Sequence, residues 1–147
     1  MTRLATEELL FLHLQSAAVS GFDVVRPAEN FDPTDASSSN SALRGTLLDW
    51  SPTIVGFGNG AYHRVETVYQ ISIFARRDSA RAFFELTSAS ETLTDHFYPD
   101  ARGLDLGPRS GTLVEIRKRP GQRYLGEVGG FLHEALSVEL KVELPPQ

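Results

Sequence analysis

The chain has 147 residues, 41% of them apolar and 22% charged, with a net charge of −5 and no cysteine. That length suits one domain and buries roughly 70% of the surface of the unfolded chain, so folding requires neither disulfides nor metal. Disulfide frameworks and thiolate metal centres are excluded, no apolar run reaches the roughly 20 residues of a membrane span, and an acidic total disfavours a dedicated nucleic-acid binder. The N-terminal stretch carries Glu7 and Glu8 before its apolar residues, where a secretory signal would be basic. The absence of cysteine fits a reducing compartment.

In chain order, residues 4–18 form the first predicted helix. Leu9 and Leu12, and Leu10, Leu14 and Ala17, recur at spacings of three and four, with Thr6 as the expected cap ahead of Glu7 and Glu8 and Gly21 as the expected stop. Asp23–Arg26 reads as a short strand ended by Pro27, and residues 28–42 as a long loop of turn formers. Residues 43–50 form a strand closed by Ser51-Pro52. Gly56, Gly58 and Gly60 then mark a hairpin loop before the longest strand, where Val65, Thr67, Tyr69, Ile71, Ile73 and Ala75 alternate with polar residues. Val68 and Phe74 break that alternation.

Asp78 is the expected cap of a second helix running to Phe97, with Ala82, Phe83, Leu86, Ala89, Leu93 and Phe97 on one stripe. Residues 100–111 read as a loop, 112–118 as a strand and 119–130 as a turn-rich connection. The last strand sets Leu132, Leu136, Val138, Leu140, Val142 and Leu144 against His133, Ser137, Glu139, Lys141 and Glu143. The architecture that buries every stripe is one α+β domain over 1–147: a single, mainly antiparallel β-sheet with two amphipathic helices packed on one face. Leu86, Leu93, Tyr69, Ile71, Ile73, Val138 and Leu140 should share its core.

No arrangement of reactive residues stands out. His13, His63, His96 and His133 lack neighbours at metal-ligand spacing, and alternation puts His63 and His133 on exposed strand positions. The glycines at 56–60 precede a strand rather than a helix, without the Lys-Ser/Thr of a nucleotide loop. Asp95 and His96 are adjacent on a helix, so they point about 100° apart and form no triad with Ser88 or Ser90. No catalytic, cofactor or metal site is therefore expected. Charge is uneven: residues 1–60 hold three arginines against seven acids, whereas residues 109–123 hold five basic side chains against Glu115 alone. The basic run meets only solvent, or docks on an acidic neighbour such as the N-terminal half of an identical subunit, with DNA contact as the third reading. The residues expected at an assembly interface are Phe57, Tyr62, Arg117, Lys118, Arg119, Arg123 and Tyr124.

The order of these features, above all VETVYQISIFARRDS leading into an amphipathic helix that closes on DHFYP, with the alternating strand 131–144 at the end, resembles the tail terminator proteins of long non-contractile-tailed phages and their relatives in prophages and gene-transfer agents. The resemblance implies a cofactor-free structural protein of the virion's head–tail junction. It would be assembled in the host cytoplasm as a homo-oligomeric, hexameric ring. It implies as partners the tail tube protein on one ring face and a head-completion or connector protein on the other. It implies binding to neither a membrane nor a specific nucleic-acid sequence, with DNA free to pass through the ring. Two other classes share the sequence features: a different phage neck or head–tail connector protein, and a small enzyme or nucleotide-binding module built from scattered residues.

Overall fold

A computed structural model describes residues 2–27, 31–34, 40–56, 58–99, 104–109, 112–116 and 118–144. The elements are α1 (Thr2–Ser16), β1 (Asp23–Val25), β2 (Ala42–Leu47), β3 (Thr53–Val55), β4 (Tyr62–Arg76), α2 (Ala82–Phe97), β5 (Leu104–Arg109), β6 (Thr112–Ile116), β7 (Gly121–Val128) and β8 (Phe131–Leu144). The eight strands make one sheet in the order β1-β2-β4-β8-β6-β5, with β3 added to β4 beside β2 and β7 added to β8 beside β6. All pairings are antiparallel except β1 with β2. The fold is the expected α+β arrangement, with both helices on one face. No helix among the described residues is long and apolar enough to cross a membrane.

The spine is the pairing of the two longest strands, in register from His63↔Leu144 to Arg76↔Phe131. Because alternate side chains share a face, this register stacks Val65, Thr67, Tyr69 and Ile71 beside Val142, Leu140, Val138 and Leu136. The helices cover that face. Leu10 and Leu14 from α1, and Leu86, Ala89, Leu93 and Phe97 from α2, join one buried cluster with them. The seven expected core residues all belong to it. Tyr69 lies across β2 so closely that a β-carbon at Gly45 would run into its ring and hydroxyl. Glycine is needed at 45 for close approach, not for an unusual backbone angle.

The break in alternation at Phe74 has a structural reason. Phe74 points to the opposite face of the sheet, where it meets Phe131 (ring centroids 5.8 Å apart), Phe31 (5.3 Å) and His133 stacked at 4.4 Å. The Arg44 guanidinium sits 5.5 Å from the Phe74 ring centre. Phe31 comes from the segment expected to be a plain loop: residues 31–34 cross this face and press the Thr34 backbone against Gly129 in the β7–β8 turn. The sheet therefore has a second, smaller aromatic core that a period-two reading with one buried face does not foresee. His133 is correspondingly half-buried, not exposed.

Several local expectations shift. Thr6 lies inside α1, buried four residues before Leu10, which in turn stands four before Leu14, and does not cap it. Asp78 does not cap α2; it is hydrogen-bonded to Arg76 (2.7 and 3.0 Å), and no side chain caps the helix at Arg81. Residues 104–109 and 121–128, read as loop and turn, are strands, because the sides of β8 and β6 offer unpaired backbone groups that they satisfy. Phe83 is 62% exposed although it sits in the apolar series of α2.

Two outcomes check this architecture. Leu86→Ala removes a buried side chain between α2 and the β4–β8 pair and should lower unfolding free energy by about 2–5 kcal/mol in urea titrations. Gly129→Ala places a methyl group in the Thr34 backbone at a φ of 56°. It should destabilise the fold by about 1–3 kcal/mol and increase proteolytic cleavage in 31–34. Wild-type stability in either variant would contradict the assigned contacts.

Candidate assembly interface

The polar residues that invite a catalytic reading are each engaged differently. His13 and His96 stack with ring centroids 4.0 Å apart and bind each other's backbone, His13 Nε2 lying 3.1 Å from the His96 carbonyl and His96 Nε2 2.7 Å from the His13 carbonyl. With Nε2 protonated, each ring donates, and the pair clasps the C-terminal turn of α1 to that of α2. Asp95 is exposed and 3.8 Å from Arg119, while the buried Ser90 hydroxyl has no hydrogen-bond partner among the described residues. The geometry thus gives Asp95, His96 and Ser90 separate surroundings. His63 is half-buried on β4 opposite Ile54. Gly56 and Gly58 have φ of 91° and 68° and turn the chain between β3 and β4 through a 3-10 turn at 58–60. Among the described residues, no three His, Asp or Glu side chains gather as a metal site.

Interface character is found on α2 and β7. Strand β7 bonds only to β8, so its other edge is open among the described residues. Above it, the first turn of α2 carries Phe83 and Phe84, 62% and 60% exposed, and Phe83 meets Tyr124 of β7 at 5.8 Å. Leu125, also exposed, stands at the β-bulge between Tyr124 and Gly126, where Gly126 adopts φ 94°. Charged side chains border this patch: Arg81 lies 4.3 Å from the centre of the Phe84 ring, and Arg77 is paired with Glu127 (2.7 Å). Further along α2, Gln122 of β7 donates to the Thr94 hydroxyl (3.0 Å), tying the edge strand to the helix.

Of the expected interface residues, Tyr124 meets Phe83 here, whereas Arg119 lies 3.8 Å from Asp95 near the C-terminal end of α2 and Arg123, next to Tyr124 on β7, is exposed on the other face of the sheet. Lys118 points instead toward Glu139 (3.7 Å). Tyr62 lies at the start of β4, half-buried, its hydroxyl accepting a hydrogen bond from Arg64 (3.0 Å). Phe57 and Arg117 lie outside the described residues. Sequence reasoning missed Phe84 and Leu125 and buried Phe83. One signal was readable: consecutive phenylalanines point about 100° apart on a helix, so a narrow buried stripe leaves at least one uncovered.

Two histidines titrate abnormally. Burial holds the His13 pKa below its ordinary 6.5, reinforced by the charge of His96 when that ring is protonated. Burial, with Arg44 nearby, does the same to His133.

No family model and no curated protein matches the chain. Four chains of known structure match it. One, a protein without a functional description, superposes with a TM-score of 0.56 at 15% identity, covering 99% of this chain and 94% of its own. At that identity the likeness concerns the fold alone.

A histidine whose folded pKa is depressed leaves stability intact above its unfolded pKa and removes it as pH falls below that value, where only the unfolded chain takes up the proton. Unfolding free energy should therefore decline as pH drops from 7.5 through 6.5 toward 5, and His13→Gln should reduce that slope. Urea midpoints across this range check it; an unchanged slope in the variant would remove His13 as a contributor.

Proposed function

We propose that this protein is a structural component of a phage head–tail junction: a ring that terminates the tail tube and joins it to the head-completion proteins. The observation that carries the reading is the contiguous apolar ridge of Phe83, Phe84, Tyr124 and Leu125 beside the open edge of β7. Apolar surface of this kind signals a partner, and an unpaired strand edge left accessible invites one. The ordered pattern of helix, long strand, helix and alternating final strand supplies the family resemblance, and the α+β fold it leads one to expect is the fold observed. The reading assigns the tail tube protein and a head-completion or connector protein as partners and requires no cofactor or catalysis.

Rings larger than dimers use two different complementary patches per subunit, so the ridge needs a counterpart elsewhere on the same chain. Deleting the gene from a phage or prophage that encodes the protein should give tails of uncontrolled length that do not join heads in electron micrographs. The purified protein, or particles carrying it, should show a ring, six subunits being the expected number. Tails of normal length that join heads normally in the deletion would exclude the role.

A further inference from the structure

We infer that the cavity between α1 and β2 is a binding site for a small, uncharged, mainly apolar molecule with one hydrogen-bond acceptor, of the aryl ketone or aryl amide kind, whose fixed polar contact is the Tyr69 hydroxyl. The inference is independent of the ring reading. The cavity has a volume of about 420 Å³, a size that suits a small organic molecule. Tyr69 forms its floor. That residue stands opposite Leu47 in the β2–β4 ladder, and its ring reaches diagonally over β2. The hydroxyl oxygen is the atom nearest the place a β-carbon would take at Gly45. Gly45 lines the same cavity, so the polar tip of the ring is what meets that space.

The hydroxyl lacks the partner that its burial calls for. Tyr69 is 2% exposed, yet its hydroxyl makes no hydrogen bond among the described residues, whereas buried polar groups are ordinarily paired. The charged side chains of the lining are engaged with one another. Arg3 donates to Glu7 (3.3 Å) and to the Leu47 carbonyl (3.5 Å), and Arg26 donates through both terminal nitrogens to Glu8 (2.6 and 2.9 Å). Burial raises the Tyr69 pKa above its ordinary 10, reinforced by the charge of Glu7 and opposed by Arg26. The hydroxyl therefore stays protonated at neutral pH and has a hydrogen to offer an acceptor.

The rest of the lining selects the class of ligand. Leu4, Phe11 and Leu47 supply apolar walls, and the Phe11 and Tyr69 rings suit an aromatic guest. On the solvent side two arginines are matched by two glutamates, so the lining has no net charge. An anion would be set against Glu7 and Glu8, and a cation against Arg3 and Arg26, each at the expense of an existing pair. A neutral molecule disturbs neither.

Acetophenone, ethylbenzene and benzoate test the site, being similar in size and differing in acceptor and charge. In calorimetric titrations acetophenone should saturate one site, with nuclear Overhauser contacts to the Leu4 and Leu47 methyl groups and the Phe11 ring, and benzoate should not bind. Tyr69→Phe removes only the hydroxyl, which leaves no internal partner behind, so its melting temperature should be unchanged or raised. That variant should bind acetophenone roughly three- to tenfold more weakly, the worth of one neutral hydrogen bond, and ethylbenzene as tightly as the parent does. If the variant does not fold, the contacts mapped on the parent decide. No saturable binding of acetophenone at millimolar concentration, contacts that map elsewhere, equal affinity in folded Tyr69→Phe, or benzoate binding as tight would each overturn the site. So would a cavity that takes up none of the probes and closes only when the protein assembles, which would assign it to a partner's side chain.

Discussion

Everything else in the molecule hangs on the register of β4 with β8. Two strands paired from end to end impose a single parity on both faces, so a slip of one residue would turn Ile71, Tyr69, Val138 and Leu136 away from the helices. The register also carries the outer aromatic cluster, since Phe74 opposite His133 and Arg76 opposite Phe131 belong to the same ladder. The inner and outer cores are thus alternate residues of one pairing. Each stabilises the register that the other needs.

The helices attach to this spine unequally. Helix α1 meets the β2 side through Leu10 and Leu14, with Phe11 covered by the Arg26 guanidinium at 3.8 Å. Helix α2 lies over β4 and β8 through Leu86, Ala89, Leu93 and Phe97, and its first turn extends toward the β7 edge, leaving Phe83 and Phe84 over open ground. The histidine clasp holds the two helices together at their C-terminal ends. Exposed apolar side chains lie at the rim of the sheet, Ile54 on β3 and Tyr124 and Leu125 on β7, and also on the helices, at Leu4 and Leu12 of α1 and Phe83 and Phe84 of α2. Full burial of each leucine or phenylalanine in a partner would contribute on the order of 1.5–3 kcal/mol, which favours association at such positions.

The flat polar side of β4 and β8 neutralises itself through Arg64–Glu143 (3.6 Å) and Lys141 between Glu143 and Glu115. Such exposed and half-exposed pairs mainly keep the face soluble and distinguish one partner from another; they add little stability.

The sequence by itself determined the long strands, both helices and the helix-covered core residues, because periodicities of two and of three to four are local and survive any arrangement of the remaining chain. Val65 to Ala75 and Leu132 to Leu144 carry enough alternating residues to define a buried face without knowing what covers it. The tertiary structure alone decided the rest. Strands β5 and β7 exist because β6 and β8 offer unpaired backbone groups, a condition absent from LDLGPR or GQRYLGEV read alone. Phe31, Phe74 and His133 share a second core only once a distant segment crosses the sheet. Phe83 and Phe84 become surface because α2 runs past the covered part of the sheet, and how far a helix overhangs its neighbours is a matter of placement that no residue pattern within the helix encodes.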